Sequence, residues 1–256
     1  MDRAGRFDAA PPRTRPVAHR HSLPEGERVY AVGDIHGCLD LAREMQAFIL
    51  ADARRAAPRS VSVVWLGDYV DRGPLSREVI DLLVDFVRRP LRSVFLMGNH
   101  EEAMLRFLAD PADGRQWLSF GGVQTLASYG VGAGRRSLTY AEARTALIAA
   151  LPMSHQDFFL SLKYCETIGE FFFCHAGIRP GVELAEQEPH DLIWIRDEFL
   201  GSRRDFGVTV VHGHTPVPEP ELRPNRVNVD TGAFATGRLT CAVIEGSEIE
   251  FRTIQG

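Results

Sequence analysis

Five short blocks constrain this chain more than anything else in it: Gly33-Asp34-Ile35-His36-Gly37, Gly67-Asp68-Tyr69-Val70-Asp71-Arg72-Gly73, Gly98-Asn99-His100-Glu101, Cys174-His175-Ala176-Gly177 and His212-Gly213-His214-Thr215. Most of them end an apolar, β-like run, and each carries glycine together with carboxylate, amide or imidazole groups. In α/β sheets, sites form outside the carboxyl ends of the strands, so loops far apart in sequence meet there. A single Gly-Asp or Gly-His pair at a strand end is ordinary turn chemistry. Five such blocks in this order require a fold that gathers metal-ligating side chains on one edge of a sheet.

The runs between the blocks set the architecture. Val29 to Val32 and Val61 to Leu66 read as strands, the second almost continuously apolar, as expected when both faces are buried. Leu91 to Met97 reads as a third strand. Helical spacing fills the gaps: Leu39 to Arg55, a helix opened by Pro74 with Val79, Ile80, Leu83 and Phe86 on one side, and Glu101 to Ala109. This alternation predicts parallel crossovers in an α/β sheet.

From about 111 to 162 the pattern changes to short helices (Gln116 to Tyr129, Tyr140 to Leu151, Met153 to Leu162), expected as an insert over the sheet. The remainder is strand-rich (163–168, 170–174, 208–211, 226–229, 239–244, 248–254), with one helix near Leu192 to Leu200, and needs a second sheet packed on the first. The expected fold is a two-sheet sandwich flanked by helices in four α/β/β/α layers. It forms one domain over residues 29–256, preceded by a basic, flexible arm over 1–28.

Composition excludes several classes. The formal net charge of −5 gives no signal for nucleic acid or a membrane surface, and no apolar run is long enough to span a bilayer. Cys38, Cys165, Cys174 and Cys241 are widely spaced with no Cys-x-x-Cys pair, which points to free thiols and a cytoplasmic setting. Carboxylate, amide and imidazole ligands together suit manganese, iron or zinc. The absence of cysteine among the clustered ligands argues against a structural zinc site.

Taken together, the five blocks resemble the phosphoprotein phosphatase family of calcineurin-like metallophosphoesterases. The resemblance extends to Trp117-Leu118 with Gly121-Gly122, Ile193-Trp194-Ile195-Arg196, Gly213-His214-Thr215-Pro216 and Asp230-Thr231-Gly232-Ala233. These look like the bacterial and phage branch to which bacteriophage lambda protein phosphatase belongs. The resemblance covers nearly everything from Val29 onward. It departs from the eukaryotic branch near the C-terminus, where Asp230-Thr231-Gly232-Ala233-Phe234 stands in place of a Ser-Pro-Asn-Tyr type motif.

The resemblance implies two divalent cations, manganese first and iron or zinc as alternatives. Asp34 and His36 would bind the first, Asp68 would bridge, and Asn99, His175 and His214 would complete the second. His100 paired with Asp71 would protonate the leaving group, and Arg72 and Arg196, with Asn99, would bind phosphate. A hydroxide bridging the cations would be the nucleophile. His212 is expected to be structural, and Glu101 to start a helix.

The implied activity is hydrolysis of phosphoserine or phosphothreonine, with phosphotyrosine also accessible. The substrate would be a phosphorylated protein or a small phosphate ester. Symmetrical hydrolysis of diadenosine tetraphosphate is the alternative, because those hydrolases share the five blocks. It would need aromatic groups for adenine, with Trp117, Trp194 and Tyr69 the candidates, although aromatics at such spacing are more often core. A binding protein that kept the fold would show a lost ligand, and none is lost.

Overall fold

The computed structural model describes residues 14–132 and 137–256. Among these, eleven strands form two mixed sheets. The six-stranded sheet runs, in spatial order, β1 (Val17–Ala18), β11 (Glu248–Gln255), β10 (Arg238–Glu245), β2 (Glu27–Val32), β3 (Ser60–Trp65) and β4 (Arg92–Phe95). The five-stranded sheet runs β5 (Cys165–Ile168), β6 (Phe171–Cys174), β7 (Thr209–His212), β9 (Arg226–Asn228) and β8 (Glu221–Leu222).

Strands β2, β3 and β4 are parallel, joined through α1 (Leu39–Ala56) and α2 (Ser76–Phe86). Strands β6, β7 and β9 are parallel in the second sheet. Both parallel sets therefore aim their carboxyl ends at loops that carry the sequence blocks.

The side-chain alternation of the strands explains the sandwich. Val29 and Ala31 of β2, Val64 of β3, Phe171 and Phe173 of β6, Val211 of β7 and Ile244 of β10 share one buried cluster. The intervening residues Tyr30, Val32, Val63 and Trp65 point the other way, into a cluster that includes Met45 and Ile49 of α1 and Ile80 and Leu83 of α2. A strand buried on both faces must read as continuously apolar.

Several elements differ from the sequence reading. The arm expected to run flexibly to residue 28 lies outside the described residues only up to residue 13. From there on it is folded: Val17 pairs with Ile249, Arg20 makes a two-pronged bond to Asp205 at 2.6 and 2.7 Å, Leu23 is buried, and Arg28 lies within β2. Strands β1 and β8 have two residues each, too short to leave a periodic signal.

The helix expected from Gln116 to Tyr129 is broken into α4 (Gly114–Trp117), a π-turn over Leu118–Gly122 and α5 (Val123–Ser128), because Gly121 adopts φ 109°. The helix expected near 192–200 is two, α8 (Pro189–Trp194) and α9 (Asp197–Leu200), parted by extended Ile195 and by Arg196 at ψ −97°. Helices α6 (Tyr140–Ala150) and α7 (Met153–Leu160) complete the helical stretch. A last short helix, α10 (Ala233–Thr236), sits between two left-handed glycines.

Candidate metal centre

The loops after β2, β3, β6 and β7, and the first turn of α3 (Asn99–Ala109) after β4, meet at one point. Asp68 is its hub. Its Oδ2 lies 3.4 Å from His36 Nε2, 3.4 Å from His175 Nε2 and 3.8 Å from His100 Nε2. On the His175 side, Asn99 Oδ1 lies 3.0 Å from His175 Nε2 and 2.8 Å from His214 Nδ1, and the two imidazole nitrogens are 3.2 Å apart. Two ligand groups share Asp68: His36 with His100, and His175 with His214. Asp34 is buried beside them and accepts the His214 backbone N–H at 3.1 Å.

The hydrogen bonds of the imidazoles fix which nitrogen is free. His36 Nδ1 faces the Val70 carbonyl at 2.8 Å and His175 Nδ1 faces the Leu66 carbonyl at 2.8 Å. A carbonyl only accepts, so Nδ1 carries the proton in both rings and the neutral ring turns a lone pair inward at Nε2. In the neutral rings, lone pairs of His36, His175, Asn99 and Asp68 converge, and without a cation it is a second proton on His175 that relieves them. Such an arrangement is repulsive without positive charge, and a divalent cation fits it. Backbone carbonyls holding the far nitrogen are the usual support of a metal-ligating histidine.

The electrostatics agree. Burial raises the Asp34 carboxyl well above its ordinary range, and neighbouring Asp230 raises it further. Burial lowers His36 to about 3 and His214 to about 2, so both rings are neutral at pH 7 and ready to ligate. Burial would also lower His175, but Asp68 and Asp34 push it up to about 10. The carboxylates call for positive charge at that spot.

Glu101 does more than start a helix. It is fully buried and accepts the backbone N–H groups of Asp68 and Tyr69 at 2.8 Å and of Val70 and Gly98 at 3.1 Å. It thereby fixes the loop that carries Asp68. Burial, and next Asp68, raise its carboxyl to about 7.

Backbone strain concentrates here. Among the described residues six non-glycines have positive φ, and five of them are His36, Asp68, Asp71, Arg72 and His214. Residues held in this region cost energy that the surroundings must offset, and they cluster where function needs them. Close approach to the carboxylates requires glycine at 98 and 213: a Cβ on Gly98 would lie 2.2 Å from Asp68 Oδ1, and one on Gly213 would lie 2.2 Å from Asp34 Oδ1.

The remaining expected residues lie around the centre. His100 Nδ1 is 2.8 Å from Asp71 Oδ2, and both residues are buried. Arg72 lays its guanidinium over the Phe234 ring at 4.7 Å. Exposed Arg196 donates from Nη1 to Thr215 Oγ1 at 3.1 Å. His212 stays outside both ligand groups: its Nδ1 lies 3.0 Å from the Gly213 carbonyl and its ring meets Phe199 edge-on.

Sequence reasoning gave no role to Asp230, which is buried beside Asp34 with Oδ2 lacking a hydrogen-bond partner. Burial raises its carboxyl to about 6. Its place in the Asp230-Thr231-Gly232 stretch was the available signal. Of the aromatic candidates, Trp117 and Tyr69 are core, with Trp117 Nε1 bonded to Asp71 and the Tyr69 hydroxyl to the Trp65 and Leu96 carbonyls. Only half-buried Trp194 borders the centre, packed on Phe120 and against His214. Phe234, which no pattern singled out, is 42% exposed and meets His36 edge-on.

Comparison with known proteins decides the family. The profile of calcineurin-like phosphoesterases matches residues 27–239. The chain belongs to that family. It is a metallophosphoesterase, and the fold is the α/β sandwich of that family.

Similar curated proteins include a bis(5'-nucleosyl)-tetraphosphatase PrpE, asymmetrical, of Bacillus cereus, 29% identical over 227 residues and covering 82% of this chain and 87% of its own. Its counterpart in Anoxybacillus flavithermus is 27% identical over the same shares. Among solved structures, a candidate diadenosine tetraphosphatase superposes with TM-score 0.59 at 21% identity, over 90% of this chain and 93% of its own. A mutant of a cold-active protein tyrosine phosphatase superposes with TM-score 0.58 at 16% identity, over 89% and 80%. At these identities the structural likenesses carry the fold alone.

Proposed function

We propose that this metallophosphoesterase hydrolyses bis(5'-nucleosyl)-tetraphosphates, with simple phosphate esters as secondary substrates. The observation that carries hydrolysis at this site is the convergence of His36 Nε2 and His175 Nε2 on Asp68 Oδ2, with Asn99 Oδ1 beside His175 Nε2. Support for the nucleotide substrate is the name shared by curated relatives that span most of this chain. The serine/threonine phosphatase expectation gives way to its alternative, since the curated relatives above carry the tetraphosphatase name while the protein phosphatase above is a fold neighbour at 16% identity. The relatives are named asymmetrical, which supports unequal cleavage in place of the symmetrical mode.

Asp34, His36 and Asp68 would hold one cation, and Asp68, Asn99, His175 and His214 the other. Two bound divalent cations supply a water of lowered pKa and neutralise phosphate charge. Manganese suits the mixed donors, with iron and zinc sharing them. The chain's own groups do the rest. Arg72 and Arg196 bind phosphate oxygens with planar forks. His100, its Nδ1 held by Asp71, delivers the Nε2 proton to the departing oxygen. Phe234 and Trp194 flank the centre and offer ring surface to a base.

Product analysis tests this reading. With manganese added, diadenosine tetraphosphate should yield AMP and ATP at a kcat/KM well above that for phosphoserine peptides. Preference for the peptides would restore the protein phosphatase reading, and ADP as sole product would restore symmetrical cleavage.

A further inference from the structure

The helical segment between β4 and β5 reaches into the centre in a way that a specificity insert need not. Asp71 is fully buried, and two donors from this segment bind its carboxylate: Thr125 Oγ1 at 2.6 Å on Oδ1 and Trp117 Nε1 at 3.0 Å on Oδ2, the oxygen that also meets His100. The Asp71 backbone N–H donates back to Thr125 Oγ1 at 2.8 Å, and the Arg72 N–H donates to the Gly121 carbonyl at 3.2 Å. Ser76 Oγ closes the set, 3.0 Å from Thr125 Oγ1 and accepting the Asp71 N–H at 3.1 Å.

The backbone break explains how one segment supplies both donors. At roughly 100° per residue, an eight-residue spacing places two side chains about 80° apart on a continuous α-helix. The π-turn at Leu118–Gly122 and the φ of 109° at Gly121 take up the extra turn, so Trp117 and Thr125 both meet Asp71. A π-turn inside a helix is a costly irregularity that recurs at functional sites.

We infer that Trp117 and Thr125 are positioning residues for the proton donor: they fix the Asp71 carboxylate, and through it the orientation of His100. The inference rests on the reading of His100 as the group that protonates the leaving oxygen. The phosphate-binding Arg72 is set by the same segment through Gly121.

The test is the dependence of rate on leaving group. The full chain with manganese is assayed on p-nitrophenyl phosphate, whose phenolate leaves unaided, and on O-phosphoserine, whose alkoxide needs a proton. The variants are Thr125→Val, Thr125→Ser, Trp117→Phe and His100→Asn.

Thr125→Val and Trp117→Phe should lower kcat on O-phosphoserine about tenfold or more, a fraction of what general acid catalysis supplies. The loss on p-nitrophenyl phosphate should stay under about threefold, with KM for both within about twofold. Thr125→Ser, which keeps the hydroxyl, should restore the O-phosphoserine rate. Circular dichroism and bound metal should match the parent protein. Equal losses on both substrates, or Thr125→Ser failing with Thr125→Val, would reduce these residues to packing. Should Thr125→Val not fold, Trp117→Phe, which keeps the ring against Phe107, decides. If His100→Asn itself does not discriminate between substrates, the proton-donor reading fails. If it does and the other variants do not, this inference alone fails.

Discussion

Glu101 is tied to Asp68 by a bond that runs from main chain to side chain: the Asp68 backbone N–H donates to Glu101 Oε2 at 2.8 Å. Three more N–H groups share that carboxylate, so the hub of the centre is held from its backbone as well as from its ligands. Glu101→Gln keeps the shape but turns an amide N–H toward a backbone donor. An unmet buried donor costs about 1–3 kcal/mol. The melting temperature should fall by about 3–10 °C at this chain length, measured by calorimetry. An unchanged melting temperature would remove the latch role.

Asp230 stands beside Asp34 with an oxygen that no donor meets. We infer that its charge serves to attract cations. Asp230→Asn should weaken manganese binding about 10- to 100-fold, the range for loss of groups that support a metal site. Titration with metal monitored by calorimetry checks this, and an affinity unchanged by the substitution would assign Asp230 to packing.

Phe234 is partly exposed next to His36, and the Arg72 guanidinium lies over its ring. Phe234→Leu should raise KM for diadenosine tetraphosphate by about tenfold, the loss of one base–aromatic stack. KM for p-nitrophenyl phosphate should change far less. Equal changes for both substrates would mean that Phe234 acts by holding Arg72.

Arg196 is exposed and turned to Thr215. Arg196→Lys keeps the charge but loses the planar fork, and should still raise KM about fivefold to tenfold for phosphate esters. Steady-state kinetics on p-nitrophenyl phosphate decides this. Parent-like kinetics would place Arg196 outside the phosphate pocket.

Much of this was legible in the chain, for a physical reason. The strands β2 and β3 are buried on both faces toward their carboxyl ends, so residues 29–32 and 63–65 are continuously apolar and their ends are sharp; Asp34 and Asp68 follow closely. Elements whose form depends on partners were not legible. Nothing near Gly121 tells that a carbonyl there meets the Arg72 N–H, a contact made where Gly121 at φ 109° breaks the expected helix. Strand β1 exists only because β11 offers an edge to pair with, so residues 14–28 read as an arm. Asp230 carries an ordinary turn sequence, and its importance lies in being buried against Asp34. Tyr69 and Trp117 show the converse, aromatics in a motif that serve the core and Asp71.

If Asp68 joins two cation sites, Asp68→Asn is the sharpest test, because the amide keeps size and shape. Metal content by mass spectrometry, measured together with turnover on p-nitrophenyl phosphate, gives the answer. Expected are fewer than two metal equivalents per chain and a loss of kcat of about a thousandfold or more, on the scale of removing a principal electrostatic element. Two tightly held equivalents with parent-like turnover would contradict that joining role.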